Sequence, residues 1–409
     1  MTNSDERDPY LELLDADDPV PLVNRLREED PVHWVPEFGF WFVTRHDDVK
    51  RLFNDPENVE RDRRFWEHYT PAPEGSMRRW LDEEGMGSQG PEHHSRVRRL
   101  VSSAFTPRAI GRMEEQIREV VDRFSLPLRG RHGEVIDLMG DFTSRIPNVV
   151  ISRITGVPPA GDGEVRFASL AQEMIRAFFP LAKEDAIATG EAAFAELAPW
   201  VREMVAERRR SPREDLVSDL VAARDRDEAL TDDEIVLLVT LLIGAGSETT
   251  AMGGLIMIGT LLQHERELER VREDRGLLPS AVNEILRFGF GGPAGIQRYA
   301  ARDFSLRGQQ IRKGQMLMLS FAGAHRDPSA YPDPNVFDIG RDAKDLLVFG
   351  NGPYYCLGAN LARQEMACML DAFLDIVPPG SRLREDLQFH EEMGLFKRPT
   401  NFPVEVAKA

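Results

Sequence analysis

"FGNGPYYCLGANLAR", residues 349–363, carries one of only two cysteines in 409 residues. Cys356 stands behind Gly350 and Gly352 and before Gly358, where the chain begins to read as a helix. A thiol just ahead of a helix N-terminus faces unpaired amides and the positive end of the dipole, and both favour thiolate. Such a sulfur can be a nucleophile, a metal ligand or simply a small buried hydrophobe. A nucleophile wants a histidine base, whose position the sequence does not give. No CxxC or Cys/His cluster points to zinc, and the glycine spacing is wrong for a dinucleotide loop. The stretch reads as a tight, glycine-permitted loop presenting one sulfur to something large and flat.

The bulk numbers narrow the setting. A length of 409 residues sets a soft expectation of two or three domains. The absence of a Ser/Gly/Pro-rich linker or an internal repeat favours one domain over 1–409. A formal net charge of −18 argues against nucleic acid or an anionic membrane as partner. Two cysteines twelve positions apart make no disulfide framework, and the opening "MTNSDERDPYLELL" has no apolar core for a signal peptide. A reducing, cytoplasmic setting is expected.

Residues 32–44 read as two short strands around Pro36–Gly39, followed by a helix from Asp47. Residues 65–90 read as a long irregular loop. Helical spacing recurs from His94 to Phe105 and through 109–126, 141–155 and 163–208. Thr231-Asp232-Asp233-Glu234 forms a capping box that opens the apolar run 235–262. That run is long enough to cross a bilayer. Glu248 in its middle, with several glycines and hydroxyls, favours a helix buried through a large domain instead. Residues 303–321 alternate and turn at glycines, as β-hairpins do. The fold class is mainly α with a minor β-sheet region.

Three further motifs each have an ordinary reading. In "AGSETT", 245–250, Gly246 could serve close helix packing, Thr249 could bond back to a carbonyl one turn earlier, and Glu248 could pair with an arginine. Alternatively, a hydroxyl and an acid interrupt an apolar wall where something approaches the backbone. Glu284 and Arg287 stand at i,i+3. His94 and Arg98 stand at i,i+4, either as part of a solvated basic helix or as two donors on one face.

Taken together, in this order and spacing, these motifs resemble the cytochrome P-450 family of haem-thiolate monooxygenases, of the soluble bacterial type, over essentially the whole chain. Phe349, Gly352, Cys356 and Gly358 match F-x-x-G-x-x-x-C-x-G. Ala245, Gly246, Glu248 and Thr249 match A/G-G-x-D/E-T of the long distal helix. Glu284 and Arg287 match E-x-x-R, His94 and Arg98 match H-x-x-x-R, and "AHRDP" at 324–328 is close to a common "ANRDP". One position departs. Two residues before the cysteine the family usually has His or Arg, and this chain has Tyr354.

The resemblance implies a P-450 fold with a long central helix over a buried haem b, whose iron takes Cys356 as ligand. His94, Arg98 and Arg298 would offset the propionates, with Tyr354, Phe349, Gly350, Ala245 and Gly246 also against the cofactor. Thr249 would hold O2 or a water, and Glu248 would relay protons. Glu284–Arg287 would brace the core, and Cys368 would be packing. The implied reaction inserts one oxygen atom from O2 into an apolar small molecule. Its electrons would come from a ferredoxin and ferredoxin reductase, since the chain has no convincing flavin or iron–sulfur motif. Arg96, Arg99 and Arg363 could join a basic patch for the ferredoxin.

By the same analogy Phe178, Phe179, Leu241, Gly244, Pro293, Ala294, Ile296, Leu395 and Phe396 line the substrate pocket, with the 65–90 loop. The small residues of "GGPAGI", 291–296, imply headroom for a bulky molecule, unless they serve only a turn. Two rivals are peroxide-driven, coupling or rearrangement chemistry on the same fold, and a non-catalytic haem sensor. The intact Glu248–Thr249 pair favours oxygen activation.

Overall fold

The computed structural model describes residues 7–86, 90–156, 161–177, 182–223, 230–289, 295–384 and 399–408. The strands in chain order are β1 (Val32–Val35), β2 (Phe40–Val43), β3 (Val59–Glu60), β4 (Val135–Asp137), β5 (Gly295–Ala300), β6 (Phe304–Leu306), β7 (Gln309–Ile311), β8 (Met316–Ser320), β9 (Arg382–Leu383) and β10 (Pro403–Glu405). Helices make up most of the remainder, so the fold is mainly α with minor sheets, as expected. The chain divides into two compact units.

One unit joins Met1–Pro71 to Asn283–Cys356. Its centre is a five-stranded sheet in the order β1-β2-β8-β5-β3. The β1–β2 hairpin pairs Val32 with Val43 and Val35 with Phe40, matching the two strands read from 32–44. β2 then runs parallel to β8, a pairing between distant segments. Val43, Val49, Leu52, Phe53, Leu317, Leu319 and Leu347 close a buried apolar cluster against this sheet. The helix His46–Phe53 starts one residue before the expected point. In the 303–321 segment β6 and β7 form the hairpin, while β8 leaves it to join the main sheet.

Within this unit Glu284 and Arg287 are both fully buried. Arg287 donates to the two carboxylate oxygens at 2.7 Å each, and to the carbonyls of His325 at 2.9 Å and Pro334 at 2.8 Å. The "AHRDP" segment closes the same region. The Leu347 amide donates to His325 Nε2 at 2.9 Å, and burial holds that imidazole neutral, down at about 3.

The other unit joins Ala72–Val282 to Leu357–Ala409. Its axis is the helix Asp232–Gln263, 32 residues long and about 48 Å at 1.5 Å per residue. The capping box is present in full: Glu234 N donates to Thr231 Oγ1 at 3.0 Å, and Thr231 N to Glu234 Oε2 at 2.6 Å. This helix is apolar enough to span a membrane by length and composition, yet most of it is buried among its neighbours. Glycines let those neighbours close in. A Cβ on Gly244 would meet Ile175 Cγ1 at 2.5 Å, and one on Gly254 would meet Thr143 at 3.1 Å. The helices Arg145–Thr155, Gly161–Arg176, Glu184–Arg210 and Ala359–Ile376 pack on it. A three-stranded sheet in the order β4-β10-β9 completes the unit.

The 65–90 segment differs from its expected irregular course. It contains a helix, Met77–Glu84, capped by Ser76, whose side chain accepts from Arg79 N. Its first amides donate to the Glu191 carboxylate, Met77 N at 2.6 Å and Arg78 N at 3.1 Å, so a distant acid completes the cap.

Candidate active site

In the sheet-bearing unit, the Cys356 turn is built from backbone. The Cys356 amide donates to the Phe349 carbonyl at 2.7 Å, and Gly350 N donates to Leu347 O at 2.8 Å. Gly350 and Gly352 both have positive φ, +73° and +72°, which side chains disfavour. Gly352 is needed twice, because a Cβ there would meet Asn54 Oδ1 at 2.2 Å. Asn54 in turn donates to Asn351 Oδ1 at 2.7 Å, fastening the turn to the end of the His46–Phe53 helix. The result is a fixed loop with the Cys356 side chain exposed. Cys368, the second thiol, is buried in the Ala359–Ile376 helix, where burial pushes it up to about 11.

Beside this turn the unit holds a buried cation. Arg298, on interior strand β5, is 6% exposed and lies over the Phe53 ring at 4.9 Å. Its one hydrogen bond among the described residues goes to the Gln297 carbonyl at 2.9 Å, and no carboxylate there pairs with it. Burial first, then the nearby Arg61, lower it to about 9. Tyr354 is half-buried with the Arg61 guanidinium over its ring at 5.2 Å. Ile296, also on β5, is partly buried. Gly295 is dictated by the sheet, since a Cβ would sit 2.0 Å from Leu319 O. One of the small residues in "GGPAGI" is therefore accounted for by strand pairing.

In the helical unit, Ala245 and Thr249 are exposed one turn apart in the middle of a helix whose Ile243, Gly244, Ser247, Thr250 and Ala251 are buried. Leu241, one turn earlier on that face, is partly exposed, as is Glu248. Thr249 Oγ1 donates to the Ala245 carbonyl at 2.5 Å, the back-bond considered from the sequence. Gly246 faces Ile151, whose Cδ1 would lie 3.2 Å from a Cβ, and Gly244 faces Ile175 and Ala171. For both glycines the geometry is that of helix packing. His94 is buried and Arg98 partly so, one turn apart on the Gly90–Ser102 helix. Arg96, partly exposed, donates to Glu234 at 2.8 Å, an ion pair within its own unit.

Phe178, Phe179, Pro293, Ala294, Leu395 and Phe396 lie outside the described residues.

The profile of the family described as Cytochrome P450 matches residues 32–376. The chain belongs to the cytochrome P450 family. It is 34% identical over 357 residues to Epothilone C/D epoxidase of Sorangium cellulosum, covering 86% of this chain and 84% of the relative. It is also 34% identical over 390 residues to Mycinamicin IV hydroxylase/epoxidase of Micromonospora griseorubida, covering 93% of each. Among solved structures, that of epothilone D-bound cytochrome P450epoK superposes with a TM-score of 0.87 at 30% identity, covering 99% of this chain and 100% of that one. This cytochrome P450 is thus a monooxygenase, and its family binds haem through a cysteine thiolate.

The residues present fit that cofactor. A haem asks for one thiolate and for cations to meet its two carboxylates. The Phe349–Cys356 turn exposes a thiol, and Arg298 is a buried guanidinium with no acid among the described residues.

Two residues escaped the sequence reading. Arg61 sits in a charge-rich run, "ERDRR", that gives no hint of which arginine reaches Tyr354. Glu365 is fully buried, its Oε2 without a hydrogen-bond partner among the described residues, and burial lifts it to about 8. An acid at a helical core position was its only signal.

Proposed function

We propose that this cytochrome P450 holds haem b through the Cys356 thiolate and inserts one oxygen atom from O2 into a C–H bond or double bond of an apolar, bulky small molecule. Two electrons and two protons are consumed, and the second oxygen leaves as water. The observation that carries the reading is the Cys356 turn, closed at 2.7 Å on Phe349 and set beside the acid-free cation Arg298. When bound, the haem supplies the oxygen-activating chemistry.

The chain supplies the setting. Backbone amides about the turn tune the sulfur. Arg298, His94 and Arg98 neutralise the cofactor carboxylates through charge-assisted bonds, and Tyr354 offers a neutral one. Thr249, exposed beside Ala245, donates its hydroxyl to O2 or a water, and Glu248 passes protons inward. Leu241 and Ile296 contact the substrate. The family profile over 32–376 supports treating 1–409 as one functional domain.

Electrons come from a ferredoxin and its reductase in the cytoplasm, with Arg99 and Arg363 contributing to docking. The relatives named as Epothilone C/D epoxidase and Mycinamicin IV hydroxylase/epoxidase support insertion of oxygen by hydroxylation or epoxidation. The test is a titration of steroids, terpenoids, macrolides and fatty acids, following the Soret band for a spin-state shift. Hits must then yield a product heavier by one oxygen when a ferredoxin, its reductase and O2 are supplied. Turnover with peroxide alone, and none with O2 and electrons, would reject the reading.

A further inference from the structure

The Gly90–Ser102 helix carries two consecutive histidines, and they face different ways. Neighbouring side chains on a helix of 3.6 residues per turn lie about 100° apart. His94 shares a face with Arg98, and His93 shares one with Val97. On the long helix of the same unit, Glu234, Leu237 and Leu241 stand at i, i+3 and i+7, one row along one face. His93, Val97 and this row, with Glu84 and Met86, line a cavity. It has about 10 Å³ for the centre of a water-sized sphere, room for one oxygen-sized group.

The two nitrogens of His93 differ. Arg96 Nη2 donates to His93 Nδ1 at 3.0 Å, and a guanidinium only donates. Nδ1 is therefore the bare nitrogen, and the proton of the neutral ring sits on Nε2. Burial first, then Arg96, lowers this imidazole below its ordinary value, which keeps it neutral at neutral pH. His93 is 9% exposed, and its buried Nε2 has no hydrogen-bond partner among the described residues. A buried N–H without an acceptor bears the full loss of its hydration. Glu234 does not meet it. That carboxylate accepts from Arg96 at 2.8 Å and from the Thr231 amide at 2.6 Å, and it lies 3.8 Å away on the Nδ1 side. One donor is thus left over in a wall otherwise made of Met86, Val97, Leu237, Leu241 and two acids. Leu241 is also a residue of the proposed substrate pocket, which places the spare donor along the substrate's wall. Glu84 and Glu234 in the same lining repel an anion, so the fitting acceptor is uncharged.

We infer that His93 is a specificity-determining residue: through Nε2–H it binds a neutral carbonyl oxygen on an otherwise apolar substrate. The inference rests on the proposed function above and narrows its substrate class to uncharged carbonyl compounds.

The experiment titrates ferric holoprotein with cyclododecanone, cyclododecane, cyclopentadecanone and cyclopentadecane, reading dissociation constants from the Soret band. Wild type, His93→Phe and His93→Gln are compared, so that each ketone and its parent hydrocarbon close a thermodynamic cycle with each variant. His93→Phe is expected to weaken the ketones roughly fivefold to tenfold and to leave the hydrocarbons within about twofold. His93→Gln, which keeps an N–H, stays within about threefold of wild type for the ketones. Equal weakening of ketones and hydrocarbons in His93→Phe means that His93 only packs, and overturns the inference. Unchanged ketone affinity, which leaves Nε2 to an internal water, overturns it too, as does a wild type that binds neither ketone. The reduced carbon monoxide complex of wild type is recorded alongside. A spectrum without thiolate ligation sinks the haem-thiolate reading, whereas a thiolate spectrum with no selective loss of ketones in His93→Phe sinks this inference alone.

Discussion

Arg287 grips Glu284 one helical turn away through two hydrogen bonds of 2.7 Å, with both side chains fully buried. A buried ion pair recovers its desolvation cost only when its remaining lone pairs and protons are also satisfied. Here they are. Glu284 Oε1 accepts from Asp338 N at 3.1 Å and Arg341 Nε at 3.2 Å, and Arg287 reaches three backbone carbonyls. The pair thus fastens the segment 325–341 to the Leu278–Phe288 helix. Glu284→Ala or Arg287→Ala is expected to cost about 3–5 kcal/mol by stranding its partner. Urea denaturation of the two single variants and the double variant checks this, with the double well short of the sum. A loss below about 1 kcal/mol in either single variant would contradict it.

Glu365 gives stability a dependence on pH. Its carboxyl is raised in the folded protein to about 8 by burial, from an ordinary value near 4.5. A raised folded value means that the folded state holds the proton more tightly than the unfolded state does. The contribution is therefore complete below about 4.5 and is lost progressively as pH rises towards 8. Glu365→Gln keeps the shape and removes the ionisation. It should match wild type near pH 5 and exceed it by about 1–3 kcal/mol at pH 8. Thermal melts across this range are the measurement, and parallel curves for the two proteins would refute the account.

Much of this was readable from the chain because the signals were local. The capping box at Thr231 sits within four residues, and the β1–β2 hairpin within twelve. The Cys356 turn follows from Gly350 and Gly352, whose positive φ leaves few other residues possible. What escaped depends on partners far away in sequence. The Met77–Glu84 helix takes part of its cap from Glu191, and Arg61 acquires meaning only beside Tyr354. Gly244 falls at the pocket by family analogy alone, and nothing in its local sequence names the residue it packs against. The approaching group is Ile175 of the neighbouring helix.

Thr249 is the hydroxyl on the exposed face of the long helix, bonded to the Ala245 carbonyl at 2.5 Å. Thr249→Ala should bind haem and substrate as wild type does while sending electrons to hydrogen peroxide. Product formed per electron is expected to fall roughly tenfold or more, since a positioned proton donor is lost. Parallel assays of NADPH oxidation, peroxide and product decide it. Unchanged coupling with the true substrate would remove Thr249 from proton delivery.

The claim on which everything rests is that Cys356 is the thiolate ligand. Of the two thiols, Cys368 is buried and pushed up to about 11, while Cys356 is exposed on a glycine-built turn. The most direct measurement is the absorption spectrum of the dithionite-reduced protein with carbon monoxide, for wild type, Cys356→Ser and Cys368→Ser. Wild type and Cys368→Ser should show the strongly red-shifted Soret band of a thiolate-ligated haem, and Cys356→Ser should lose it. A wild-type band at the position typical of histidine-ligated haem, or a thiolate band that survives in Cys356→Ser, would contradict the account.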